Sequence, residues 1–214
     1  MNTYVPPLRF HALTRFYDRI VAWTSAEARF RPALLELVAS SPGALIVEVG
    51  CGTGTLTWML AQRFPDARIA GVDLDQEALD LARAKSFDGV PAPAFREADA
   101  RNLPFADGSA DVVVTSLFFH HLLPQGKRQV LAEIRRVLRP GGQLVVADWG
   151  RPHSTFAAVR FLAVRLLDGF AVTRDHARGI FPARLHNAGF TDAAEKAWFG
   201  APVGTIRLWQ ATRT

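Results

Sequence analysis

An α/β fold with a doubly wound, mostly parallel sheet is predicted from three observations. Short apolar runs alternate along the chain with segments of helical period. This alternation calls for parallel strands covered on both faces. A glycine-rich turn, VEVGCGTGTL at residues 47–56, follows the first core run and opens a helix. The last two apolar runs are joined by only a short link, which calls for an antiparallel hairpin.

Residues 8–40 read as helical. Phe10, Leu13, Phe16, Tyr17 and Ile20 recur at helical spacing, and Leu34, Leu35 and Val38 do so later. Ser41-Pro42-Gly43 breaks the pattern. Residues 44–49 (ALIVEV) form a buried strand, and residues 55–64 a helix stopped by Pro65. A second strand spans 68–73 (RIAGVD). Asp75 caps the next helix, which reaches Lys85. After a turn-rich link come short strands at 94–98 and 111–115 (DVVVT).

Residues 126–138 are a helix with Val130, Leu131, Ile134, Val137 and Leu138 on one face, ended by Arg139-Pro140-Gly141-Gly142. A fifth strand (QLVVAD) covers 143–148. Residues 155–168 are helical, and a further short helix ends at Gly189. Strands near 191–199 and 204–211 follow, joined by Gly200-Ala201-Pro202. The expectation is one domain over residues 1–214. It has a helical cap at 1–40, a binding core at 41–150, a lid at 151–190 and a terminal hairpin at 191–214.

Size and composition agree with one well-packed domain: 214 residues, 49% hydrophobic and 21% charged, with no long low-complexity run. The start, MNTYVPPLRF, lacks the charged-then-apolar order of a signal peptide. Apolar stretches are broken by Arg or Gly well short of the roughly 20 residues of a membrane span. The single cysteine, Cys51, precludes an intrachain disulfide and fits a reducing cytoplasm. Net charge is +5 and the pI about 10.1. The basic residues are nonetheless spread out, apart from Arg135, Arg136 and Arg139 and from Arg160 and Arg165. A basic soluble protein is therefore expected, without a specific nucleic-acid partner.

In an open parallel sheet, ligands sit beyond the carboxyl ends of the strands where strand order reverses, and the glycine turn is placed there. Gly50, Gly52 and Gly54 let a ligand approach the main chain closely. Cys51 reads as a small filler within that turn rather than a nucleophile. A dinucleotide fingerprint, G-x-G-x-x-G/A, would need a small residue where Thr55 stands, and no P-loop lysine follows. Glu48 would repel a phosphate and suit a cationic ligand. Asp73 ends the second strand 19 residues beyond Gly54, where a carboxylate can accept ribose hydroxyls.

The acidic-x-G-x-G-x-G pattern of Glu48, Gly50, Gly52 and Gly54 resembles motif I of the class I S-adenosylmethionine-dependent methyltransferases. GVDLD at 71–75, READARNLPFADGSADVV at 96–113 and VLRPGGQLVVAD at 137–148 resemble that family's later motifs, in order and spacing. The likeness is greatest to the ubiquinone/menaquinone-biosynthesis-like group, with Ala110 a departure where Phe is frequent. The resemblance implies a Rossmann-like fold and S-adenosyl-L-methionine as cofactor, with S-adenosyl-L-homocysteine as product. It also implies a binding set of Glu48, Gly50, Cys51, Gly52, Gly54, Asp73, Leu74, Asp99, Ala100 and Ser116. Leu74 would pack on the adenine, Asp99 would take its amino group, and the Ser116 main chain would pass the methionine part. Tyr17 and Arg31, from the N-terminal helices, are candidates to touch the cofactor's carboxylate.

Methyl transfer from a sulfonium needs alignment and exclusion of water, and a base only for an acceptor that holds its proton. His120 and His121, just past the fourth strand, are the candidate bases. No further ligands stand at metal-site spacing, so no metal is expected. Asp148 and Trp149 line the pocket, and His153 and His176 are weaker candidates in the lid. The N/D-P-P-Y/F signature of amine methylases is replaced by Thr115-Ser116-Leu117-Phe118, which favours a small-molecule acceptor. The segment STFAAVRFLAVRLLDGF at 154–170 could close over an apolar or aromatic acceptor, or touch a membrane surface weakly. Three other readings compete: a non-catalytic cofactor-binding or scaffold protein, an RNA or protein methyltransferase, and an NAD-dependent oxidoreductase.

Overall fold

The computed structural model describes residues 26–214. Tyr17 and the helix expected before residue 26 lie outside the described residues. Seven strands form one sheet in the order β3-β2-β1-β4-β5-β7-β6. They are β1 (Leu45–Val49), β2 (Arg68–Asp73), β3 (Ala94–Glu97), β4 (Ala110–Ser116), β5 (Leu138–Trp149), β6 (Phe190–Ala201) and β7 (Gly204–Arg213). Among the described residues, seven α-helices accompany them: α1 (Glu27–Leu37), α2 (Thr55–Arg63), α3 (Gln76–Arg83), α4 (Pro124–Val137), α5 (Thr155–Asp168), α6 (Phe170–Arg178) and α7 (Phe181–Asn187). None of the described helices is long and apolar enough to cross a membrane.

The first five strands are mutually parallel, and β7 runs against both β5 and β6. The predicted hairpin is present, with a narrower consequence than expected. Its second strand wedges between β5 and β6, so β7 is the one reversed strand and β6 forms the edge. The order reverses between β1 and β4, which leaves a crevice at their carboxyl ends.

Successive strand residues point to opposite faces, and the core divides accordingly. Val47, Val49, Val113 and Trp209 face Ile134 of α4 and Phe181 of α7. Ile46, Val112, Val114, Ile206 and Leu208 face Phe30 and Leu34 of α1, Leu56 and Leu60 of α2, and Phe161 of α5. Both faces are buried, which explains the near-continuous apolar runs of the central strands.

Several boundaries differ from expectation. Helix α4 ends at Val137, and the Arg139–Gly142 stretch belongs to β5, entered through a register shift opposite Ala110 and Val112. Gly141 takes a left-handed φ of 73° there. β3 stops at Glu97, and the hairpin turn is Pro202-Val203. The single short helix expected before Gly189 is two, α6 and α7, split at Gly179 with φ 69°. Asp75 caps α3 as predicted, accepting from the backbone N–H groups of Glu77 and Ala78.

Candidate active site

The glycine turn leaves β1 and is stitched to β2, with Gly50 and Cys51 donating their N–H groups to the Val72 carbonyl at 2.8 and 3.1 Å. Gly50, Gly52 and Gly54 all have positive φ, at 75°, 50° and 74°. Their surroundings separate them. A Cβ on Gly50 would fall 2.4 Å from the Phe118 ring, and one on Gly54 would fall 2.7 Å from the Ala82 methyl. A Cβ on Gly52 would meet nothing within 4 Å. Two of the three glycines are therefore bare so that protein can pack against them, and Gly52 alone faces open space. Cys51 is buried with its sulfur against Gly71 of β2, and burial pushes its thiol far up, which suits a filler. Lys85, past the end of α3, braces the turn by donating to the Thr53 carbonyl at 2.7 Å and the Thr55 hydroxyl at 3.0 Å.

Beneath the turn lies Glu48, 2% exposed. Burial drives its carboxyl up to about 8, against the opposing effects of the Thr57 hydroxyl, which donates to Oε2, and of the Arg31 charge. Arg31 projects from α1, pairs with Glu27 at 2.6 Å and leaves its own Nε buried without a hydrogen-bond partner among the described residues. Burial holds this carboxyl protonated, and an arriving cation, like the Arg31 charge, would favour its ionised form and could then pair with it.

At the end of β2, Asp73 accepts the Gly52 N–H on Oδ2 at 2.7 Å and the Asp75 N–H on Oδ1 at 3.0 Å. Burial raises its pKa, and the Asp75 and Gly52 amides oppose that rise. Leu74 is 51% exposed at the crevice mouth. Asp99 lies past β3 and is gripped by Arg101, which holds its carboxyl below the usual range. A ligand amino group there would have to share that carboxylate. Ala100 is half-buried beside it. Ser116 ends β4, and the next residue, Leu117, has φ 54° with its N–H on the Ala147 carbonyl at 2.8 Å. A left-handed leucine is strained backbone, a feature concentrated at functional sites.

The histidines divide by environment. His120 sits in the 3-10 turn Phe119–His121, 4% exposed, with Nδ1 2.7 Å from Asp148 Oδ1 and its N–H on Oδ2 at 3.2 Å. Trp149 N–H also donates to Asp148 Oδ1, at 2.7 Å. Burial alone would raise the Asp148 carboxyl. The charges of His120 and His176, with these hydrogen bonds, instead hold it well below its ordinary range. His121 is half-buried, its ring tilted against that of His120 at 3.9 Å between centroids, and burial with the His120 charge pulls its pKa well down. His176 of α6 joins this group, its ring edge-on to His120 at 6.4 Å between centroids. Its Nδ1–H donates to the Trp149 carbonyl at 2.6 Å, so Nε2 carries the lone pair. Burial, opposed by Asp148, brings His176 down to about 4. His153 is not part of the group; it bonds Thr205 and stacks on Trp198.

Behind His176 stand three charges that sequence reasoning did not select. Lys127 of α4 is fully buried and donates to the Val172 carbonyl at 2.6 Å. It lies 3.6 Å from Asp175, which also accepts from Arg184 of α7 at 2.6 Å. One signal was legible. Lys127 falls on the apolar stripe of α4, in helical register with Val130, Leu131 and Ile134. Among the described residues, no group of three or more His, Cys, Asp and Glu side chains could hold a metal ion. A groove of about 540 Å³ also exists at the opposite, N-terminal ends of β1–β3, lined by Phe64, Arg68, Arg96 and Phe105. It carries no carboxylate and lies away from the glycine turn.

Comparison with known proteins bears on this crest. A family model described as a methyltransferase domain matches residues 46–142. The chain is 36% identical over 127 residues to a demethylmenaquinone methyltransferase of Thermus thermophilus, covering 59% of this chain and 57% of that protein. It is 30% identical over 172 residues to one of Symbiobacterium thermophilum, covering 72% of this chain and 66% of that protein. The chain spans about half the length of the curated relatives it matches. Among solved structures, a Thermotoga maritima protein described as an S-adenosylmethionine-dependent methyltransferase, possible histamine N-methyltransferase, has the same fold. The TM-score is 0.72 at 19% identity, over 95% of this chain and 99% of that one.

Proposed function

Because the chain belongs to the class I S-adenosylmethionine-dependent methyltransferase family, we propose that it methylates a small apolar or aromatic acceptor by in-line displacement. The observation that carries this reading is the turn after β1. Gly52 faces open space with its N–H on Asp73, above the buried carboxyl of Glu48. That donor set fits S-adenosylmethionine, a cation bearing a ribose and no phosphate. When bound, the cofactor supplies a methyl group already activated by its sulfonium.

The chain's own residues then bind and align. Gly50, Cys51, Gly52 and Gly54 form the turn against which the cofactor rests, Glu48 lies beneath it at the end of β1, and Asp73 holds the sugar. Leu74, Asp99 and Ala100 receive the base, and Ser116 the methionine part. Arg31, with Tyr17 from outside the described residues, closes the set. His120, oriented through Nδ1 by Asp148, is the group that takes an acceptor's proton, since a carboxylate partner stabilises the imidazolium that results.

The acceptor's cover is α5. It buries Ala157, Phe161 and Val164, while Phe156, Val159, Leu162, Leu166 and Leu167 are exposed by 43–75%. α6 and α7, anchored in the core, leave α5 as the lid. The same face, with Arg160 over Phe156 and Arg165 over Phe170, supports weak contact with an anionic membrane surface holding a lipophilic acceptor. Failure to co-sediment with anionic phospholipid vesicles at low salt would remove that contact.

Calorimetry with S-adenosylhomocysteine and with NAD tests the cofactor: binding of the first alone is expected. Labelled methyl transfer across phenols, quinols, amines and acids tests the chemistry. Binding without transfer to any of them would favour a non-catalytic protein of this fold.

A further inference from the structure

The Lys127–Asp175–Arg184 cluster has no part in the site as described so far, and its burial calls for an account. Replacing buried ion pairs by apolar side chains of similar volume is frequently neutral or stabilising, so such a cluster is weak support for the fold on stability grounds. Its position is informative. Lys127 rises from α4 and donates to Val172 of α6 at 2.6 Å, within 3.6 Å of Asp175. Arg184 of α7 grips the same Asp175 oxygen at 2.6 Å. The next residue in the chain, His176, is thereby held with its Nδ1–H on the Trp149 carbonyl, its face on Phe181 at 5.3 Å and its edge toward His120. The Trp149 N–H in turn fixes the Asp148 oxygen that orients His120.

We propose that Lys127 is a positioning residue for the candidate base, clamping α6 to α4 so that His176 and the Trp149 backbone hold the His120–Asp148 pair in place. The clamp is independent of the methyltransferase reading, and the chemistry it serves rests on that reading. Lys127 is faced by Asp175 and His176 from α6, by Arg184 from α7 and by Asp148 from β5. Burial draws the Lys127 ammonium down to about 8, with Asp175 and Asp148 resisting and Arg184 assisting. In an opened α6 the group would titrate near its ordinary 10.5, so raising pH through about 8 does not release the contact but favours the closed arrangement.

Amide hydrogen exchange on the whole protein reads the clamp directly. With intrinsic exchange rates corrected for, protection of residues 172–178 at pH 7 should fall about tenfold in Lys127→Met, while α3 stays unchanged. Lys127→Gln, which keeps a donor for the Val172 carbonyl, should recover part of that protection. Wild-type protection in a folded Lys127→Met overturns the clamp; should that variant fail to fold, wild-type protection in Asp175→Asn does so. With the acceptor that turns over best in the panel, Lys127→Met should lower kcat about ten- to a hundredfold, and Lys127→Gln should recover part of it. S-adenosylhomocysteine affinity should be unchanged in the variant. Unchanged kcat overturns the positioning role. Failure of the wild type to bind S-adenosylhomocysteine would instead sink the methyltransferase reading and leave the exchange result standing.

Discussion

Thr57 gives its hydroxyl to the buried carboxyl of Glu48, one helical turn into α2 from the glycine loop. The pairing offsets only part of the burial penalty, and Glu48 carries its proton up to about 8. In the unfolded chain the same group ionises near 4.5. Between those values the folded state binds the extra proton, so stability falls as pH rises. Glu48→Gln keeps an acceptor for Thr57 and has no charge to bury. It should match the wild type near pH 4 and exceed it by about 2–4 kcal/mol near pH 8 in denaturant unfolding. An identical pH profile for the two proteins would mean that Glu48 is ionised and otherwise compensated. A residue that weakens the fold at working pH points to use in binding.

The glycines of the turn should respond differently to alanine. Gly52→Ala meets no neighbour and carries only the left-handed strain of about 1 kcal/mol, yet places a methyl in the open space proposed for the cofactor. Binding of S-adenosylhomocysteine should be lost with little change in Tm. Gly54→Ala drives a methyl against Ala82 and the Phe95 ring and should cost about 2–4 kcal/mol of stability. The reverse ranking by calorimetry and thermal melting would misassign the open face.

Asp73 ties the turn, and in the proposed function it also holds the sugar. Asp73→Asn should weaken S-adenosylhomocysteine binding by roughly 1.5–3 kcal/mol, the scale of hydrogen bonds to a charged group. Asp73→Ala should do the same and also lower Tm, because the Gly52 and Asp75 N–H groups lose their acceptor. Unchanged affinity in either folded variant would show that the ribose lies elsewhere.

Asp148 sets the acid limit of this region. Its carboxyl is depressed in the folded state, so its stabilisation is complete above the unfolded value and fades as pH falls through the folded one. Asp148→Asn should lose about 3 kcal/mol at neutral pH by removing one partner of a buried pair. Its unfolding free energy should then change less than that of the wild type below about pH 4. Nitrogen-detected NMR of the His120 ring should show the tautomer altered. An unaltered ring would detach Asp148 from its orienting role.

Much of the fold was legible because parallel strands buried on both faces leave apolar runs that helices must separate. Ile46, Val112 and Val145 are such residues, and each is fully or nearly fully buried. What escaped depended on partners distant in sequence. Arg139-Pro140-Gly141-Gly142 reads as a break, yet its neighbour Leu138 pairs with Ala110 and carries the strand through it. Gly50, Gly52 and Gly54 look alike in the chain, and only Phe118, Ala82 and Phe95 distinguish them. Lys127, Asp175 and Arg184 lie on three helices, so their meeting is a tertiary event that no local pattern encodes. The lysine interrupting the α4 stripe was its one visible trace.

The placing of β7 between β5 and β6 has a consequence for biosynthesis. The strand translated last of the seven is an interior one, and it delivers Trp209, 1% exposed, to the packing around Phe181. A ribosome-bound chain that has not yet emerged past Arg213 shows the flank of β5 as an unpaired edge, open to association with other nascent chains. The half bearing the glycine turn can condense early. The half bearing the histidines must wait for the final ten residues of strand to slot in.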